Sequence, residues 1–205
     1  IILEGIGFLT EGKANIRVFK NRKDTSRLLV FTFAGVLLSQ YTYFAAIQHS
    51  NAGTATILQY LFPVIVLFLV CFQEMRGPDG IEILAIILSL AGTAVLGTHG
   101  NFRTLQITPA ALFFGLAAAV AAVFYNMLSG SLIRKYGLFQ IAGFGMLLAG
   151  IVMMAAVRPW RYDVVWNAGT VFALLGVIIV GTAMGFSLYL WGVSIIGPLK
   201  GSLLA

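Results

Sequence analysis

The sequence predicts an all-α, polytopic membrane helix bundle, and three observations carry that prediction. Sixty per cent of the residues are hydrophobic and only 10% are charged, where a soluble domain carries about a quarter charged residues. The apolar residues fall into six stretches, each about as long as a bilayer-crossing helix. The basic residues gather in the short segments between those stretches.

The composition excludes a soluble fold of this size, because some surface must always face water and there is too little polar surface to cover it. A bilayer removes that requirement, so the expected partner is lipid, in a multi-pass protein of the cell membrane. The net charge of +6 and the pI near 9.7 do not point to nucleic acid, because the charges sit in loops rather than on one phosphate-binding face. The single cysteine, Cys71, lies inside an apolar run. It offers no disulfide framework and no metal-ligand spacing, and no metal or cofactor is expected.

A helix needs about 20 apolar residues to cross about 30 Å of hydrocarbon. The expected spans are Leu28–Gln48, Ala52–Phe72, Gly80–Gly97, Pro109–Ile133, Leu138–Val157 and Thr170–Ile196. Backbone groups in lipid must be satisfied internally, which selects helices, and the alternation of a membrane barrel is absent. His49-Ser50-Asn51 reads as a tight turn, and Gly77-Pro78 as a breaker between spans. Residues 158–167 carry Trp160, Tyr162 and Trp166, which suit the headgroup level. Ile1 to Leu9 is too short to span, no basic signal-peptide region precedes it, and a new apolar stretch opens at the last residues. The chain therefore reads as part of a longer protein. One set of loops holds Lys13, Arg17, Lys20, Arg22, Lys23, Arg27, Arg76, Arg134, Lys135 and Lys200; the other holds Arg103, Arg158 and Arg161. The positive-inside rule places the first set in the cytoplasm, and the first loop carries most of that asymmetry.

Shifted by 146 residues, the chain meets itself: Gly35 with Gly181, Tyr43 with Tyr189, Leu58 with Leu204. The offset pairs span with span and turn with turn, five spans apart. An odd number of spans per copy turns the second copy over, the inverted-repeat plan of many secondary transporters.

Four groups of residues then carry a resemblance. Ala52-Gly53-Thr54-Ala55 precedes Leu61-Phe62-Pro63, and Gln73-Glu74-Met75-Arg76 precedes Ala91-Gly92. Phe124-Tyr125-Asn126 leads to Arg134-Lys135-Tyr136-Gly137, and Gly181-Thr182-Ala183 leads through Tyr189 to Gly197-Pro198 and Ser202-Leu203-Leu204. In order and spacing these resemble the EamA-type transporters of the drug/metabolite transporter superfamily, which have ten helices in two five-helix halves. The resemblance implies two repeats, 1–98 (tail of helix 2 to helix 5) and 109–205 (helix 6 to the start of helix 9). It also implies transport of small metabolites, often export. Glu74-Met75-Arg76 departs from the family's usual adjacent Glu-Arg.

The candidate site follows from what lipid penalises. No Asp, Glu or Arg sits in the middle of a span, so no carboxylate proton relay is assigned; Glu74 and Glu82 read as interfacial. The polar residues at depth are neutral. Ser39 and Tyr43 share a helix face with Ala46, and Gln40 lies beside it; Thr56 and Gln59 share a face with Ala52 and Pro63. Asn126 and Tyr189 lie deep in their spans. These seven, Ser39, Gln40, Tyr43, Thr56, Gln59, Asn126 and Tyr189, are the expected walls of a substrate cavity, with interhelical packing as the alternative role. Pro63 is expected to kink its helix. Lys200 reads as a snorkelling residue, or as an anion contact at the inner mouth of the cavity. His49 and His99 read as solvated helix-end residues.

The expected function is a secondary transporter, not an enzyme, that exports a small polar metabolite or amino-acid-like solute by alternating access. Ser129-Gly130-Ser131 has no base at its depth. A receptor or scaffold without transport is the alternative, against which the five-span offset speaks.

Overall fold

The computed structural model describes residues 18–105, 107–161 and 167–204, and all regular elements among them are helical. Ile1–Leu9, Lys13, Arg17, Tyr162 and Trp166, named above, lie outside the described residues. Six helices are long and apolar enough to cross a membrane: α1 (Arg22–Gln48), α2 (Ala52–Gln73), α3 (Gly80–Thr98), α4 (Pro109–Tyr136), α5 (Leu138–Val157) and α6 (Ala168–Ile196). A short α7 (Pro198–Leu203) follows.

Helix starts are set by caps. The side-chain oxygens of Asn21, Asn51, Thr108 and Asn167 accept from the N–H groups of Lys23, Thr54, Ala111 and Thr170 at 2.8–3.1 Å. Each satisfies an orphan donor of the first turn. Capping explains why α1 begins at Arg22, six residues before the expected start at Leu28. Its charged first turn is also paired, since Asp24 accepts from Lys135 and from Tyr136 of α4. Where α2 meets α3, Arg76 makes a two-pronged contact with Glu82 at 2.7 and 2.9 Å and also pairs with Glu74. These carboxylates, Glu82 first, hold the guanidinium pKa above its ordinary value.

Three helices are irregular within their apolar lengths. In α2 the helix stops at Gln59, turns through Tyr60 and Leu61, and restarts at Phe62. Pro63 is the cause: it has no N–H, so the Gln59 carbonyl loses its partner one turn on. In α1 and α6, wide π turns occupy Phe31–Leu37 and Val177–Met184. Such turns are rare and concentrate at functional sites.

Landmarks recur at one offset. The caps Asn21 and Asn167, the helix starts Arg22 and Ala168, the π starts Phe31 and Val177, and the starts Ala52 and Pro198 are each 146 residues apart.

Helix α4 is the hub, packed against α1, α2, α5, α6 and α7. It can approach so many neighbours because Ala111, Gly115, Ala118, Ala119, Ala121 and Ala122 keep its buried faces small. Leu58 of α2 sits where a Gly115 side chain would be, and Gly35 of α1 lies against the Tyr125 backbone. Helix α6 joins this packing mainly through its second half, together with Ala183. Its first half, Ala168–Met184, has no buried residue.

The basic-residue asymmetry gives a direct test of orientation. Asn21 and Asn51 serve as caps, so exposed neighbours carry the probes: Lys20→Cys and Ala52→Cys, in a Cys71→Ala background. A membrane-impermeant maleimide added to intact cells is expected to label position 52 and not position 20. Labelling of both from one side would overturn the orientation.

Candidate functional site

Helices α1, α2, α4 and α6 line an open cavity of about 460 Å³. Its position follows from the irregularities just described. The π turn of α1 contributes Gly35 and Val36, the break in α2 contributes Gln59, Tyr60 and Phe62, and Gly185 follows directly on the π turn of α6. Each deviation from regular helix re-aims side chains or leaves out bulk where the four helices meet.

All seven residues picked from the sequence line this one space: Ser39, Gln40, Tyr43, Thr56, Gln59, Asn126 and Tyr189. Thr56 donates its hydroxyl to the Ala52 carbonyl at 2.7 Å. Its single proton thus spoken for, Thr56 accepts from the Tyr43 hydroxyl at 2.9 Å, and the Tyr43 oxygen keeps its lone pairs. Gln59 donates one amide hydrogen to Ser39 Oγ at 3.2 Å. Asn126 is 1% exposed; its amide donates to the Ala122 carbonyl at 2.9 Å and its oxygen accepts from the Tyr189 hydroxyl. Gln40 makes no hydrogen bond among the described residues. Lys200 is exposed on α7 and is not part of the lining. Ala46 is fully buried in packing, outside the lining. Trp191 faces away and is exposed. His49 is exposed but stacks on Phe114, with ring centroids 5.6 Å apart, and its carbonyl accepts from Thr108.

The aromatic part of the wall was missed. Tyr60, Phe62, Tyr125 and Phe186 line the cavity as well. The available signal was spacing: Tyr125 stands three residues after Ala122, and Phe186 three before Tyr189, each on the lining face. Tyr125 is 8% exposed and its hydroxyl has no hydrogen-bond partner among the described residues. Its ring lies parallel to Tyr189 (5.9 Å, 5°) and nearly parallel to Phe31 (5.6 Å, 18°), with Phe186 edge-on at 5.4 Å. Among the fifteen lining residues none carries a formal charge.

A buried apolar cluster lies between the cavity wall and the end of the bundle that carries Arg134 and Lys135. Leu28, Phe31, Leu132, Ile141 and Leu190 form one buried cluster with Tyr125. Below it, the last residues of α4 hold both neighbours. Lys135 and Tyr136 bind Asp24 of α1, the latter at 2.6 Å, and Arg134 donates to the Ser194 carbonyl of α6 at 3.0 Å.

The description EamA-like transporter family matches residues 1–98. The whole chain is also 36% identical, over 205 residues, to a protein of Salmonella typhimurium (strain LT2) described as the uncharacterized inner membrane transporter YicL, of which it covers 68%. The chain belongs to the EamA-like transporter family. It is a multi-pass integral membrane protein, and its six bilayer-length helices are those of an EamA-like transporter. No solved structure matches this transporter.

Proposed function

We propose that this EamA-like transporter is a carrier that exports a small polar organic solute, amino-acid-like in size, by presenting the central cavity to each side of the membrane in turn. The observation that carries the reading is the convergence of seven neutral polar side chains from four helices on one mid-membrane space. Lipid offers such groups no partners, so their gathering around a cavity has a purpose in binding. A discontinuous helix at that depth adds support, because broken helices accompany binding sites in carriers. The recurrence of caps, helix starts and π turns at 146 residues supports two copies of one unit, inverted because five crossings separate them. The buried cluster, with the clasp that Lys135 and Tyr136 make on Asp24 below it, supports a state closed at the basic end.

The test uses proteoliposomes and a panel of radiolabelled amino acids, sugars and nucleobases, in both protein orientations. Gln59→Leu and Tyr43→Phe are expected to reduce flux of the transported solute about tenfold, the effect of losing about one hydrogen bond to substrate. Yield and melting temperature should stay near those of the parent protein. Unchanged flux in both variants would end the cavity assignment, and loss of folded protein in both would assign these residues to packing. Net uptake rather than export in oriented vesicles would reverse the direction proposed.

A further inference from the structure

Resting on the carrier reading, we propose that the cavity takes an uncharged, planar nitrogen heterocycle, a solute of nucleobase type. Its ring lies against the wall formed by Tyr125, Tyr189 and Phe186, and its edge meets Gln40 and Gln59.

The first argument is charge. No lining residue is charged, and the nearest formal charges on the lining helices are far away. Arg27 precedes Gly35 by eight residues and Arg134 follows Asn126 by eight, which is ~12 Å along a helix. An ion entering this space gives up hydration and meets no counter-charge among the described lining residues. The carboxylate of a free amino acid finds neither lysine nor arginine here. An uncharged solute has no such charge to desolvate.

The second argument is shape. Phe31, Tyr125 and Tyr189 form a near-parallel series of rings, closed on one side by the edge of Phe186. A flat π-face continues such a series, because base-like rings stack on aromatic side chains whatever their substituents. A volume of about 460 Å³ suits a small organic molecule and is far too large for a bare inorganic ion.

The third argument is the pattern of unspent hydrogen-bonding capacity. Side-chain amides offer a donor and an acceptor side by side, the pairing that reads heterocycle edges in nucleic acids. Gln40 spends neither group among the described residues. Gln59 spends one hydrogen on Ser39 and retains its carbonyl. The main-chain carbonyl of Gln59 lacks its helical partner because of Pro63. The buried Tyr125 hydroxyl is unpartnered among the described residues. Donors and acceptors thus stand together, which matches a ring bearing both N–H and C=O or ring-nitrogen acceptors.

The experiment measures the melting temperature of the purified whole transporter in detergent with five probes: adenine, uracil, phenylalanine, benzoate and tetraphenylphosphonium. Adenine or uracil is expected to raise it, and the other three are not. In Gln40→Leu and Gln59→Leu the half-maximal concentration of the effective heterocycle should rise about tenfold. In Tyr125→Phe it should rise while the ligand-free melting temperature holds or increases. Stabilisation by phenylalanine, benzoate or tetraphenylphosphonium alone would overturn the proposal in favour of a zwitterion, anion or cation site respectively. A heterocycle bound equally by all three variants would overturn the assignment of its edge. The carrier reading is scored separately by proteoliposome flux. Flux of another solute without heterocycle binding defeats only the substrate class, and no flux of any panel solute defeats the carrier reading as well.

Discussion

Gly53→Ala is expected to lower the yield and the melting temperature of the folded transporter steeply. A methyl group at Gly53 in α2 would lie 1.9 Å from the carbonyl oxygen of Gly97 and 2.9 Å from its carbon in α3. The obstacle is backbone on backbone, so no rotamer change relieves it, and one helix must move off the other. Overpacking of a flexible core costs about 1–3 kcal/mol; a clash between two rigid helix backbones falls at or above the top of that range. Native proteins have only about 5–15 kcal/mol in total. Gly92 in the same α3 has open space around it, so Gly92→Ala is expected to be neutral or to stabilise by about 0.5–1 kcal/mol. Yield and melting temperature in detergent check both. A Gly53→Ala protein that melts with the parent would show that α2 and α3 do not approach as described.

Phe31→Ala is expected to damage stability and tightness together. Phe31 is the largest fully buried side chain, 1% exposed, stacked on Tyr125 and pressed on Gly145. Truncating a buried phenylalanine costs about 3–5 kcal/mol in soluble cores. The lower end applies here, since the unfolded reference is lipid rather than water and mainly packing is lost. The void opens in the layer between cavity and clasp, so proteoliposomes should leak the transported solute down its gradient without saturation. A variant with lowered melting temperature and unchanged, saturable flux would show that the layer is structural only.

The spans were legible because hydrocarbon thickness imposes a length on apolar runs, and lipid suppresses mid-span charge. Their ends were less so. The start of α1 was set too late because Arg22, Lys23 and Arg27 read as loop charges; a helix tolerates them where Asn21 caps and Asp24 is paired across to α4. The polar half of the cavity wall was legible for a related reason, since Gln59 or Asn126 at depth demands a partner. The aromatic half was not. Tyr125, Tyr60 and Phe186 are at ease in lipid, in a packed core or in a cavity wall, so their identity does not choose among the three. The π turns left no sequence mark, but the Asn21 and Asn167 caps that precede them stand at the same 146-residue offset as the glycines and tyrosines compared.

The layer at the cavity wall has a property that follows from its chemistry alone. Thr32, Tyr125 of the cavity wall and Ser187 stand at one level, buried with hydroxyls that have no partner among the described residues. They lie ten, eleven and nine residues from Arg22, Tyr136 and Ile196, at the basic ends of three different helices, and so share a depth of ~14–17 Å. Each unsatisfied hydroxyl raises the energy of the dry arrangement by about 1–3 kcal/mol. Admitting water to that depth satisfies all three at once. Apolar packing and the Asp24–Lys135–Tyr136 contacts oppose that wetting, and the three oxygens favour it. Hydrating such a layer therefore costs less than hydrating one of purely apolar side chains.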